Sequence, residues 1–338
     1  MSPTKKSVIA LGCTILFVLS AWFAVTQPVL PGSPQRAEPA AEPARLRLHV
    51  ETLSTTFVPR DWKHVENLDR AADYISEQLL GAKVNTSQQP YQMRANNENQ
   101  GRTYRNIVGT LGPDTKERIV IGAHYDAFSE FPAADDNASG VAVLIEAARL
   151  LAKESLPIGI DLVAYSLEEP FAEGAKGNFR TPDGGSAVHA ASLKNRGAQV
   201  RLMLSLETLG YFSDEPRSQD FPLSWLRYFY PITGNYILVV SNFQSAWNAR
   251  QVKSAMQASA RLPVYSISAP ASVEGMDYSD HANYWANGYR AVMITDTAFN
   301  RNKNYHTKGD TADRLDYQRM AYVAEGVYRA VLAISRQD

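Results

Sequence analysis

Apolar positions fall into two rhythms along the chain. Over residues 65–80, Leu68, Ala71, Ala72, Ile75, Leu79 and Leu80 recur at helical spacing and stop at Gly81, which predicts an amphipathic helix with one buried face. Residues 106–111, 119–123, 160–166, 200–207, 236–241 and 291–295 are instead short apolar runs bounded by turn formers, and they predict strands. Helical spacing returns over 140–153, 187–195, 245–259 and 317–335. Strands apolar on both faces and separated by helices predict an α/β fold, a three-layer α/β/α sandwich around a mostly parallel, mixed sheet. Ligands of such sheets gather beyond the carboxyl ends of the strands, so the residues just after those runs are where chemistry is expected.

Two N-terminal segments depart from this pattern. Residues 8–25 are almost entirely apolar and follow Lys5 and Lys6, a run of roughly 18 residues that is long enough to cross a bilayer. Trp22 and Phe23 crowd the Ala24 position a leader peptidase would need, which favours an uncleaved signal anchor over residues 1–26. The two lysines then stay cytoplasmic and the bulk of the chain is extracytoplasmic, periplasmic or extracellular; secretion after cleavage is the alternative. Residues 27–45 hold Pro28, Pro31, Pro34, Pro39 and Pro43 among Ala and Glu, the composition of an extended linker. Residues 46–338 are expected to form one folded domain.

Composition narrows the chemistry. The chain has 338 residues and a formal net charge of −1, and its basic residues form no stripe interleaved with aromatics, so a nucleic-acid partner is not expected. Cys13, the one cysteine, lies inside the apolar run, too early in it for lipid modification. Any metal site in the folded domain must therefore use His and carboxylates.

Such residues occur where the sheet pattern calls for them. His124 closes the run 118–123, and Asp126, two residues on, is of the type that orients a ligating imidazole. Asp135-Asp136-Asn137 stands at the mouth of the helix predicted from residue 140, without the alternating oxygen ligands of a calcium loop. Glu168-Glu169 follows a strand, so one carboxylate can hold metal while its neighbour serves as a base. Glu207 ends another strand, and His306 sits in the polar loop after 291–295. Taken singly, each has a plainer reading: a structural His, a solvated Glu pair, an exposed loop His. His49, His64 and His189 have no partner carboxylates at ligand spacing and read as structural, while Asp280 beside His281 suits a pocket wall.

In order and context these residues resemble the M28 family of metallopeptidases, which includes secreted bacterial aminopeptidases and some eukaryotic carboxypeptidases. The resemblance runs from about residue 46 to the C-terminus. It is most specific in His124-Tyr125-Asp126, Asp136-Asn137-Ala138-Ser139-Gly140, Glu168-Glu169, Ser279-Asp280-His281 and His306-Thr307. It implies a zinc-exopeptidase-like fold and two zinc ions, with Asp136 bridging, His124 and Glu207 on one ion, and Glu169 and His306 on the other. Glu168 becomes the general base, Tyr278 the stabiliser of the oxyanion, and Asp126 and Asp280 supporting residues. Two departures stand out: Glu207 occupies a position that is usually Asp, and Pro170-Phe171 opens a Gly-rich loop reaching Ser186. Peptides are the implied substrates. Carboxylates around the ions would attract a free α-amino group, which favours an aminopeptidase over a carboxypeptidase. A glutaminyl cyclase-like enzyme with one zinc is the nearest alternative, and a non-catalytic binding module is opposed by the complete set of ligand types.

Overall fold

The computed structural model describes residues 3–29, 38–95, 98–171, 177, 180–259 and 261–337, and side chains for all of these but 3–6, 8, 10, 17 and 259. Its helices are α1 (Pro3–Thr26), α2 (Pro43–Glu51), α3 (Val65–Gly81), α4 (Gly140–Leu151), α5 (Gly185–Asn195), α6 (Ala246–Ser259), α7 (His281–Ala286) and α8 (Tyr317–Ser335). Its strands are β1 (Asn85–Gln92), β2 (Thr103–Leu111), β3 (Glu117–His124), β4 (Gly159–Tyr165), β5 (Gln199–Glu207), β6 (Ile237–Ser241), β7 (Val264–Ser268) and β8 (Ala291–Thr295). They form one mixed sheet in the order β1-β2-β4-β3-β5-β8-β6-β7. The centre is parallel, β4 with β3, β3 with β5 and β5 with β8, while β2 and β6 run antiparallel to β4 and β8.

Alternation along the central strands makes the three layers. Ile119 and Ile121 of β3, Ile160 and Leu162 of β4, and Leu202, Leu204 and Leu206 of β5 join one core with α2, α3, α4, α6 and α8. The intervening Val120, Val163 and Met203 join a second core with Ala190 and Leu193 of α5 and Tyr284 of α7. Burying one such Leu or Ile contributes about 1.5–3 kcal/mol, so either face alone would leave the other half of the sheet unsupported. Parallel register also puts the ends of the strands level, because His124 lies beside Tyr165 and Glu207 beside Thr295.

Several elements lie outside what the apolar pattern predicts. β1, with the sequence Asn-Thr-Ser-Gln-Gln-Pro-Tyr-Gln, is an edge strand that carries almost no apolar signal and borrows its order from β2. β7, whose Val264 and Ile267 are interspersed with Tyr265, Ser266 and Ser268, and the 6-residue α7 carry no continuous apolar run. α2 opens at Pro43 and buries Leu46 and Val50, and Ala41 before it is buried too, so packing begins inside the stretch read as linker. Residues 30–37 of the expected linker lie outside the described residues. Among the described residues no helix is long and apolar enough to cross a membrane. α1 nonetheless carries the 8–25 run, and its Ile9, Leu11, Ile15, Leu16, Val18 and Leu19 are exposed.

Candidate metal centre

His124 is the last residue of β3 and Glu207 the last of β5, while Glu168 and Glu169 follow the end of β4 and His306 lies in the loop after β8. Asp136 arrives on the turn Ala134–Ser139 that leads into α4. That turn is fastened from several sides. Asn137 donates to the Leu206 carbonyl at 2.8 Å and accepts from the amides of Gly140 and Thr208 at 3.1 Å each. The Ser139 hydroxyl donates to the Asp135 carbonyl and accepts the Leu209 amide, both at 2.7 Å. Gly140 is required here, because a Cβ would collide with the Asn137 side-chain oxygen and come within 2.7 Å of the Leu206 carbonyl. The site also stores backbone strain: Leu167, Thr208, Ala133 and His306 itself all have φ between 47° and 61°.

Around Asp136 the side chains form two sets. One carboxylate oxygen lies 3.0 Å from His306 Nε2, which is also 3.1 Å from Glu169 Oε2. The other lies 3.3 Å from His124 Nε2, which is 3.5 Å from Glu207 Oε2. Ligand atoms of His124, Asp136 and Glu169 all lie within 4.8 Å of one another. Two donors about 2.05 Å from one tetrahedral zinc would themselves be roughly 3.3 Å apart, close to these spacings. Both ring nitrogens of His124, both oxygens of Asp136, Glu169 Oε1 and His306 Nε2 are buried without a hydrogen-bond partner. Orphan polar atoms of this kind are costly, and among them His124 Nε2, both Asp136 oxygens and His306 Nε2 face one another in the two sets. The residues therefore fit a metal centre.

Electrostatics point the same way. Burial raises Glu168 well above the usual carboxylate range, and Glu207, Glu169 and Asp280 push it further against the pull of His124. Glu169 is raised to about 8 by burial and by Asp136, and Asp280 to about 7 by burial with Glu207 and Asp126 adding to it. Burial lowers the affinity of His306 for its proton, but Glu169 and Asp136 outweigh it and hold the ring up at about 10. Asp136, although buried, is driven strongly down by His124 and His306. So many mutually repelling acids in one buried place are what a bound dication would relieve.

Asp126 lies 3.4 Å from His124 Nδ1, and its two oxygens also accept the amides of Glu168 and Glu169 at 3.0 Å each. It thus sets the imidazole and the Glu168-Glu169 corner together. Ser279 donates to Glu207 Oε2 at 2.7 Å while sharing a hydrogen bond with Ser205 at 2.9 Å. Asp280 is buried, and both its oxygens lack a resolved hydrogen-bond partner. Tyr278 is 42% exposed and lines an apolar pocket beside Glu207. His281 is buried with its Nε2 at 2.9 Å from the Met276 carbonyl, and His49, His64 and His189 are 2.7, 2.6 and 2.7 Å from Tyr74, Asp61 and Tyr284. Residues 172–176, 178 and 179 of the Gly-rich loop lie outside the described residues.

Four supports of the centre lie outside the sequence pattern. Tyr305 stacks on His306 at 4.0 Å between ring centroids, and Phe128 stacks on the same ring at 4.3 Å. Asp310 accepts the amides of Asp135 and Asp136, and buried Arg60 donates to the carbonyls of Leu53, Tyr125, Pro132 and Ala133 around the same turn. Only Tyr305 left a trace in the sequence, as an aromatic adjoining the loop His.

Residues 106–331 match the model of peptidase family M28. The chain is 44% identical over 308 residues to the protein YfbL of Escherichia coli K12, covering 88% of this chain and 89% of that one. It is 27% identical over 224 residues to a probable leucine aminopeptidase of Trichophyton verrucosum, 64% of this chain but only 53% of that protein. Solved structures share the fold: an aminopeptidase from Aneurinibacillus sp. strain AM-1 has a TM-score of 0.65 at 16% identity, covering 86% of this chain and 93% of that one. A Porphyromonas gingivalis glutaminyl cyclase has a TM-score of 0.64 at 19% identity, covering 86% and 97%. With two-thirds of its length matched by the family model and the acid-and-histidine cluster at the strand ends, the chain belongs to peptidase family M28, the metal-dependent hydrolases.

Proposed function

We propose that this M28 metallopeptidase is a two-zinc aminopeptidase held to a membrane by α1. The observation that carries the reading is Asp136, whose two oxygens face two different His-carboxylate pairs, His306 with Glu169 and His124 with Glu207. Two ions in these positions would polarise the scissile carbonyl and acidify the attacking water. Glu168 is buried beside the charges of His124 and Glu207; nearby dications would favour its ionised form, which takes the water proton and delivers it to the leaving amine. Asp126 fixes the His124 ring and the backbone that aims Glu168. Tyr278 and Tyr305 both line the pocket beside Glu207, and a phenol from either wall suits the developing oxyanion.

Phe221, Leu226, Tyr230, Ile267, Met276 and Met293 line the rest of that pocket, which suits an apolar residue at the cleaved end. Glu207 lines its inner end, and the carboxylates of the centre, Glu168, Glu169 and Glu207, suit a free α-amino group. A glutaminyl cyclase-like enzyme using only the His306, Asp136 and Glu169 set is the second reading, favoured by Glu207 standing where the family resemblance implies Asp. Metal analysis combined with amino-acyl chromogenic amides, N-blocked peptides and N-terminal glutamine peptides separates the two. Two ions per chain and release of apolar residues from unblocked amides support the peptidase. One ion with cyclisation of N-terminal glutamine would replace it. The anchor is supported by the exposed apolar side chains of α1 and by Lys5 and Lys6 ahead of them in the sequence; on this reading the folded part lies outside the cytoplasm.

A further inference from the structure

Two segments that carry exposed aromatic side chains are both linked to the end of α1. The short 3₁₀ helix Ser224–Tyr228 buries Leu226 but leaves Leu223, Trp225, Tyr228 and Phe229 in the open, Tyr228 at 75% exposure. The same segment is tied to the end of α1: Tyr230 donates to the Ser266 carbonyl at 2.8 Å, and the Ser266 hydroxyl donates to the Thr26 carbonyl at 2.8 Å. Val25 packs into the apolar cluster of Leu226, Tyr230 and Ile267. On the neighbouring edge, Lys253 Nζ also donates to the Thr26 carbonyl, at 2.7 Å, and Arg250 Nε to the Pro28 carbonyl at 3.2 Å. The Arg250 guanidinium lies 5.9 Å from the Phe23 ring and 5.5 Å from that of Trp247, which is 61% exposed.

We infer that this face, built from Trp225, Tyr228, Phe229 and Trp247, docks on the lipid bilayer beside α1. The inference rests on the anchor reading. Three features select lipid as the occupant. The patch is continuous with the helix that would enter the bilayer, through packing and the hydrogen bonds at Thr26 and Pro28. Its composition is that of an interfacial belt, in which aromatic rings settle at headgroup depth. Arg227, 5.3 Å from the Tyr228 ring, and Arg250 place cations at the level where anionic headgroups lie. Exposed apolar rings on this scale are uncommon on a free surface. Docking would fix the orientation of the domain, since Leu226 and Tyr230, which hold the patch from beneath, also line the pocket beside Glu207.

The chain has five tryptophans, and two of them, Trp225 and Trp247, belong to the patch. The full chain is reconstituted in phosphatidylcholine and phosphatidylglycerol vesicles doped with phospholipid brominated near the headgroup or near the chain end. Subtracting the emission of the variants Trp22→Phe, Trp225→Phe and Trp247→Phe from that of the parent isolates each residue. Emission from Trp225 and Trp247 is expected to fall with shallow bromine and to fall less with deep bromine. Quenching of Trp22 while Trp225 and Trp247 keep their full emission would overturn the docking face and leave the anchor intact. In that outcome, sedimentation of the full chain in detergent would identify a second copy as the occupant. Loss of quenching at all three would remove the anchor reading, and the docking face with it.

Discussion

His124 and His306 face the same carboxylate from opposite halves of the chain, and their surroundings differ. The His124 ring is 1% exposed, ends a central strand and is backed by Asp126. His306 is 24% exposed, sits on a loop at a φ of 56°, and is held by stacking on Phe128 and Tyr305. The first position is thus fixed by the sheet and the second by aromatic contacts. Burial of this kind governs how fast an ion leaves more than how well its ligands are chosen. On the proposed two-ion reading, the ion at His306 should therefore exchange first when a chelator is added, with the one at His124 following slowly.

The largest effect is expected at Glu168-Glu169, two identical side chains assigned different work. Glu168→Gln should keep both ions while the rate falls by roughly 10² to 10⁴, since it removes the proton carrier alone. Glu169→Gln should lose the His306-side ion, with lower thermal stability that added zinc partly restores. Metal content measured beside turnover checks the pair, and equal metal loss in both variants would refute the division.

Asp126→Asn tests the buried side next. It keeps the side-chain shape but removes the charge that orients His124 and accepts the Glu168 and Glu169 amides. A loss of roughly 10- to 100-fold in metal affinity or activity is expected, because an amide cannot accept from all of these groups at once. Wild-type affinity in a zinc titration would show that the contact is incidental.

Acid titration bears on both sides together. Glu169 is raised from 4.5 to about 8 and Asp280 from 3.8 to about 7. A carboxyl with a raised folded-state pKa favours the folded protein while protonated. That contribution is full below about 4 and lost as pH climbs through 7 and 8. His306, raised from 6.5 to about 10, acts in the same sense at higher pH. Metal-free protein should accordingly show a falling Tm between about pH 5 and pH 8, and zinc-loaded protein should not. A flat metal-free profile would contradict the crowding of acids described above.

The smallest change is expected from Glu207→Asp, which shortens a carboxylate that Ser279 steadies. Charge is retained, so activity should remain within an order of magnitude while metal preference shifts, whereas Glu207→Gln should lose the His124-side ion. Retained metal and rate in Glu207→Gln would place that residue outside the centre.

Much of this was legible in the sequence because the central strands are buried on both faces and end in residues of one chemical kind. The runs before His124 and Glu207 needed no partner to be recognised. Elements whose order is borrowed were not legible: polar β1 depends on β2, and the short α7 depends on the strands it covers. The same holds within the site. His124, Asp136, Glu169, Glu207 and His306, the residues proposed to hold metal, stand out by type and context and lie together, but Arg60 and Asp310 act through backbone carbonyls and amides from remote parts of the chain. No local pattern records such contacts. Tyr305 was hidden for a different reason, since an aromatic in a polar loop reads as surface until the ring it stacks on is in place.

Zinc titration by calorimetry on the full chain and three variants tests the shared role of Asp136 most directly. The account expects two ions per chain in the parent, one in His306→Ala, one in Glu207→Gln and none held tightly in Asp136→Asn. A parent that binds a single ion, unaffected by Glu207→Gln, would contradict it.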